Sequence, residues 1–237
     1  MSTKSKRHLH TVKEQMPPHA RESLLARGIN DELIASSGLY YATADEAQAL
    51  VGKPLDGGGP SDGIVIPYLS GKVVVRWLRE GIEPKYRYKA PTGSAPEFYL
   101  TRSVSWHPIA RDTDYVIYLT EGEFKAIAGC AAKIPTISLS GVWGWSRDHE
   151  PIADFGDFEW KGREVYLCFD SDVVTKPSVQ MALSALAKYL ASLGAIVYVK
   201  VLPSEPDGSK NGMDDYLKRY GAEALRFASH RDLRLLD

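Results

Sequence analysis

Tyr115-Val116-Ile117-Tyr118-Leu119-Thr120-Glu121-Gly122-Glu123-Phe124-Lys125-Ala126 and Val165-Tyr166-Leu167-Cys168-Phe169-Asp170-Ser171-Asp172 are the two stretches that decide the fold. Each is a short run of apolar, β-branched and aromatic residues that ends on carboxylates. Runs of this length and content mark strands buried on both faces. The first predicts a strand over Tyr115–Leu119 and then a helix over Glu123–Ala132, with Phe124, Ile127, Ala128 and Ala131 on one face. The second predicts a strand over Val165–Phe169 that runs directly into Asp170-Ser171-Asp172.

The flanking sequence continues the alternation. Thr136–Leu139 and Ala195–Leu202 read as two further strands. Between the latter and Asp172, Val179, Leu183, Leu186, Leu190 and Leu193 recur at helical spacing, with Pro177 near the start and Gly194 just past the end. A final pair of helical stretches flanks Gly221. Strands separated by helices of this length pair in parallel, and helices then cover both faces of the sheet. The expectation is an α/β domain over residues 111–237.

In an open parallel sheet ligands bind at the carboxyl ends of the strands, which is where Glu121, Asp170 and Asp172 fall. Carboxylates gathered on one rim raise each other's pKa unless a cation sits among them. Oxygen-only ligands suit Mg²⁺ or Mn²⁺ rather than zinc. Taken singly, Asp170 also reads as a cap and Glu121 as a solvated residue at a helix start; all three at matching strand ends favour the metal site. Lys210, followed by Asp214-Asp215 in a helix opening at Gly212, adds a cation and the carboxylate of Asp214 to the same rim. The plainer alternative is acidic residues favoured by the helix dipole.

Upstream the rhythm differs, and residues 17–110 are expected to form a smaller α+β lobe. Pro17-Pro18 opens a helix that stops at Gly28, Asn30 caps a second before Gly38, and Thr43 with Glu46 forms a capping box for a third that ends near Gly52. The run Gly57-Gly58-Gly59-Pro60 is a flexible connection without the Lys-Ser/Thr of a phosphate-cradling loop. Ile64–Ile66 and Lys72–Leu78, joined at Ser70-Gly71, read as a hairpin. Next, Arg76, Arg79, Lys85, Arg87 and Lys89 interleave with Trp77, Tyr86, Tyr88, Phe98 and Tyr99. Cations that track phosphates among rings that stack on bases make a surface for single-stranded nucleic acid; an ordinary sheet with inward rings and solvated cations accounts for the pattern equally well. Trp143 and Trp145, two apart between glycines, would share a side in extended chain and read best as anchors of a loop.

The 237 residues, 44% of them hydrophobic, suffice for two lobes with their own cores. Lys+Arg of 29 against Asp+Glu of 30 leaves a net charge of −1, so contact with nucleic acid must come from local patches. Residues 1–16 carry Lys4, Lys6, Arg7 and Lys13 without an apolar core and are expected to form a basic disordered tail, neither signal peptide nor membrane span. Cys130 and Cys168, the only cysteines, lie in apolar stretches, which excludes a cysteine-rich zinc site and fits a reducing, cytoplasmic setting. The six histidines show no metal-ligand spacing on a common helix.

The carboxylate motifs carry a family resemblance. Thr120-Glu121-Gly122-Glu123, Asp170-Ser171-Asp172, and Lys210 followed by Asp214-Asp215 resemble the Toprim signature of primases, topoisomerases and related nucleases. Glu121 to Ala126, Gly141-Val142-Trp143-Gly144-Trp145 and Gly212-Met213-Asp214-Asp215-Tyr216-Leu217 resemble more closely an uncharacterised Toprim-like domain at the front of plasmid and phage replication proteins of the primase-helicase type. Ile64–Tyr68, Arg76-Trp77 and Lys85–Pro91 are similar to the strand region that precedes Toprim there, so residues 20 to 220 are covered. Two departures stand out: Lys125 replaces an acidic residue, and Val173–Pro177 replaces the usual glycine-bearing stretch after the carboxylate pair.

The resemblance implies a Toprim-type parallel sheet flanked by helices, with Asp170 and Asp172 holding Mg²⁺ and Glu121 acting as general acid or base or organising the metal. Lys125 and Lys210 are placed as catalytic cations that meet phosphate. The activity expected is metal-dependent nucleotidyl or phosphoryl transfer of the primase type. Its partners would be single-stranded DNA or primer-template, nucleotides and a replicative helicase. The alternatives are a Toprim nuclease and a non-catalytic binding module derived from Toprim.

Overall fold

A computed structural model of the chain describes residues 16–52, 61–83, 86–171, 176–205 and 207–232. Residues 1–15 of the expected tail, the Gly57–Pro60 connection, Lys85, and Asp172 with Val173 to Thr175 lie outside the described residues. The chain divides into two compact units, Met1–Ala95 and Pro96–Asp237.

The first unit opens with three short helices, α1 (Pro18–Leu25), α2 (Asp31–Ser37) and α3 (Ala44–Val51). Their bounds follow from local chemistry. The Asn30 side chain accepts from the Leu33 N–H at 2.9 Å, and Thr43 and Glu46 form the reciprocal capping box. Strands β1 (Tyr40–Ala42), β2 (Gly63–Pro67), β3 (Val73–Trp77) and β4 (Tyr88–Lys89) form an antiparallel sheet in the order β1-β2-β3-β4. β2 and β3 are the expected hairpin, with Pro67 opposite Val73. Every residue of β2 is buried, and Val65, Val75 and Trp77 pack with Ala47 and Val51 of α3 in a small core.

The second unit holds the α/β fold expected from the alternating pattern. After α4 (Trp106–Arg111) come β5 (Ile117–Glu121), α5 (Glu123–Ala131), β6 (Thr136–Leu139), the two-residue ribbon β7 (Ser146–Arg147) with β8 (Glu150–Pro151), β9 (Glu164–Leu167), α6 (Pro177–Ser192), β10 (Ile196–Lys200), α7 (Met213–Phe227) and β11 (His230–Asp232). The sheet order is β11-β10-β9-β5-β6, parallel throughout except for β11. β11 is an addition to the expected sheet, since a polar His-Arg-Asp segment carries no strand pattern and is recruited by the open edge of β10.

Period-two alternation puts both faces to use. Ile117, Leu119, Val165, Leu167 and Phe169 enter one core, shared with Leu183, Leu186 and Leu190 of α6 and an aromatic cluster of Phe98, Trp106, Phe155, Phe158 and Trp160. Tyr118 and Cys168 enter the other, with Met213 and Leu225 of α7. Arg163, fully buried, ties the turn before β9 to its surroundings by donating to the carbonyls of Glu159, Tyr115, Ile109 and Ala110 at 2.7 to 3.1 Å. Lys200, also buried, caps the end of α7 by donating to the Arg226 and Ala228 carbonyls at 2.7 and 2.9 Å. Among the described residues no helix is long and apolar enough to cross a membrane.

Candidate functional site

The parallel register sets β5 beside both β6 and β9, so the carboxyl ends of these strands share a rim. Glu121 is the last residue of β5 and is half-buried. The chain then turns at Gly122, whose φ of 99° is open to glycine and costly for other residues, and enters α5 with Glu123 and Lys125 in its first turns. Asp170 follows β9 by three residues. The third contributor is the segment Lys210-Asn211-Gly212 before α7, with Asp214 buried in that helix's first turn at 3% exposure.

These pieces are stapled together. The Ser171 N–H donates to the Asn211 carbonyl at 3.1 Å, and the Asn211 N–H donates to Ser171 Oγ at 3.0 Å. Lys125 Nζ donates to Asp170 Oδ1, and Lys210 Nζ stands 3.9 Å from the other oxygen, Oδ2. Gly212 makes room for this approach. A Cβ there would lie 2.9 Å from Asp214 Oδ1, 2.9 Å from Lys125 Cε and 3.2 Å from Asp170 Oδ1, so the three side chains close around one point. Burial pushes the Lys125 ammonium toward neutrality, but Asp170 first, then Asp214 and Glu121, outweigh it and hold its pKa above the usual lysine value.

Lys125, Asp170 and Asp214 therefore meet at this rim, with Lys210 beside Asp170 and Glu121 at the end of the neighbouring β5. Asp215 points outward and is exposed. Among the described residues no three His, Cys, Asp or Glu side chains form a ready-made metal cage. The donor chemistry nonetheless fits a hard divalent cation: every anionic group is a carboxylate, and the buried Asn211 Oδ1 beside them has no hydrogen-bond partner. Both cysteines are buried, Cys168 two residues before Asp170, and burial pushes their thiol pKa values up to about 12. Ser171, Asn211 and the steric role of Gly212 were not singled out from the sequence; their only signal was proximity to Asp170 and Asp214.

The segment after β6 reaches the same rim. Gly141–Gly144 is a turn closed by the Gly144 N–H on the Gly141 carbonyl, not an extended stretch. Trp143 and Trp145 stack at 6.4 Å, and Trp145 in turn stacks on Tyr189 at 5.7 Å. Trp145 is the anchor, at 8% exposure, whereas Trp143 is 48% exposed.

In the first unit Arg76, Arg79, Tyr86, Arg87, Tyr88 and Lys89 are all half-buried. Arg76 on β3 lies opposite Tyr88 on β4, and burial holds its guanidinium pKa below the usual value. Trp77 turns into the first unit's core, while Phe98 and Tyr99 belong to the second unit and are buried there. Of the interleaved rings, Tyr86 and Tyr88 are the two that keep access to solvent.

A family model described as "Domain of unknown function (DUF3854)" matches residues 105–224. No curated protein matches the chain. Among solved structures, the Aquifex aeolicus primase, comprising zinc binding and RNA polymerase domains, is similar with a TM-score of 0.64 at 17% identity, over 96% of this chain and 60% of that one. The RNA polymerase domain of Mycobacterium tuberculosis primase DnaG gives 0.61 at 14% identity, over 97% and 82%. A DnaG primase catalytic domain bound to ssDNA gives 0.58 at 18% identity, over 95% and 81%. The chain thus spans 60% of the length of the Aquifex structure, and what these structures share with it is a fold.

Proposed function

The chain belongs to the DUF3854 family, and we propose that it is a primase-type module for metal-dependent nucleotidyl or phosphoryl transfer on nucleic acid. The observation that carries this reading is the meeting of Asp170 and Asp214 with Lys125, from three separate elements, at the carboxyl-end rim of a parallel sheet on which Glu121 ends the neighbouring strand. Asp170, Asp172, Asp214 and Glu121 would hold Mg²⁺ or Mn²⁺, and a bound ion supplies neutralisation of the charge that develops on the phosphoryl oxygens. Glu121, half-buried at the strand end, is assigned the proton of the attacking hydroxyl, taken at a carboxylate oxygen. Lys210, whose side chain is 54% exposed, is assigned to the phosphates of an incoming nucleotide. Lys125, engaged with Asp170, orients that carboxylate. Lys85 and the half-buried Arg76, Arg79, Tyr86, Arg87, Tyr88 and Lys89 are assigned to single-stranded DNA or primer-template, which agrees in kind with the ssDNA bound to one of the similar primase structures. A replicative helicase is the protein partner that suits this role.

A second reading, a Toprim-derived binding module without turnover, is favoured by one observation: the Asp170 carboxylate is already matched by ammonium groups. Incubation of the full chain with single-stranded DNA, labelled nucleotides and Mg²⁺ or Mn²⁺ separates the readings. Extension supports nucleotidyl transfer, cleavage a nuclease that activates water with the same carboxylates, and metal-dependent binding without product the binding module. Activity that persists undiminished in Asp170→Asn would overturn the site assignment.

A further inference from the structure

We infer that Lys125 is a built-in cation of the rim, occupying one cation seat among the carboxylates and leaving room for one divalent ion rather than two. The inference rests on the metal-dependent reading above and concerns how many ions that site takes.

The geometry places this ammonium where an ion would otherwise be needed. The Lys125 side chain is 17% exposed and that of Asp170 22%, so their contact is largely withdrawn from water. The Lys125 stem reaches the point beside Gly212 where Asp170 Oδ1 and Asp214 Oδ1 also arrive. Carboxylates crowded in this way require a positive charge among them. A cation carried on a helix supplies it permanently, independent of metal concentration. It differs from a metal in what it can do. An ammonium offers three hydrogen-bond donors and no coordination position, so it holds Asp170 in place but does not polarise a bound phosphoryl oxygen or water as an ion does. Its charge also repels a second divalent ion from the same seat. Asp170 Oδ2, the oxygen nearer Lys210, is the side left for the single ion, because the Lys210 side chain is half exposed and has the reach to withdraw.

The test is Mn²⁺ binding to the full chain, without nucleotide or nucleic acid, followed by the electron paramagnetic resonance signal of free Mn²⁺ and by calorimetry. Wild type is expected to bind one Mn²⁺. Lys125→Met, which keeps an unbranched stem and removes the charge, is expected to bind two, and Lys125→Arg to return to one. Lys125→Gln provides a second neutral variant if Met impairs folding, as judged by circular dichroism. Two ions on wild type overturn the inference, and so does a single ion on both neutral variants, in either case leaving the metal-dependent reading intact. Failure of wild type and neutral variants alike to bind Mn²⁺ overturns both, which distinguishes the two failures.

Discussion

The Lys125 ammonium rests on the Asp170 carboxylate, joining the first turns of α5 to the end of β9 across 45 residues of sequence. Removing the anion leaves a largely buried cation without the carboxylate that accepts its hydrogen bond. Asp170→Asn should therefore cost about 1–3 kcal/mol of stability, less than a fully buried pair because both groups still reach solvent. It should also weaken Mg²⁺ binding, so that raising the metal concentration partly restores activity. Glu121→Gln should instead lower turnover by about a hundredfold or more with metal binding retained, as expected for loss of a proton acceptor. Metal titrations of activity and melting temperature for both variants check the contrast, and identical behaviour would remove the division of roles.

Contact with nucleic acid through residues 76–89 has a salt signature. Replacing Arg79, Arg87 or Lys89 with Ala should flatten the dependence of log K on log salt by about 0.7 per lost phosphate contact on single-stranded DNA. Tyr86→Ala and Tyr88→Ala should cost about 1–3 kcal/mol of affinity with the slope unchanged, if each ring stacks on a base. Fluorescence anisotropy across a salt series measures both quantities.

Gly129 sits where α5 meets β6 and α7. A Cβ there would come 2.2 Å from Thr136 Oγ1 and 2.7 Å from Met213 Cε. Met213 Cε is the end of a flexible side chain, but Thr136 Oγ1 is held on the Ile134 carbonyl at 2.8 Å. Ala normally gains about 1 kcal/mol over Gly in a helix; here overpacking should outweigh that and destabilise the unit by about 1–3 kcal/mol. Denaturant unfolding of Gly129→Ala decides which effect wins.

The capping box of α3 should be visible in the acid limb of stability. Hydrogen bonds from the Thr43 backbone and hydroxyl hold the Glu46 carboxyl below its usual pKa. A depressed folded pKa gives stability that is present above the unfolded carboxylate value and is lost as the pH falls through the folded one. Glu46→Ala should accordingly speed hydrogen exchange in α3 at neutral pH and make little difference at about pH 3. Equal effects at both values would mean that the carboxylate is not what holds the cap.

Much of this was legible because it is local. The apolar runs before Glu121 and Asp170 specified buried strands, and the caps at Asn30 and Thr43 announced helix starts through side chains only three residues from their partners. What escaped is non-local. Arg163 looks like a surface residue until carbonyls from α4 and from Tyr115, just before β5, are brought around it, 48 to 54 residues away. The Lys125 contact is of the same kind: the sequence placed a cation near the rim, but only the fold sets it on Asp170. Trp143 and Trp145 were readable as a loop anchor, yet the turn that buries one ring and exposes the other depends on Tyr189 from α6.

The edges of the second unit's sheet bear on self-association. An uncovered five-residue strand such as β10 would present a row of free amides to which an extended segment of another molecule could add. β11 takes that place with three residues of polar sequence, and on the opposite side Tyr99 exchanges backbone hydrogen bonds with Ser138 on β6 at 2.9 and 3.2 Å. Recruitment of a foreign strand is thereby discouraged at both ends of the sheet.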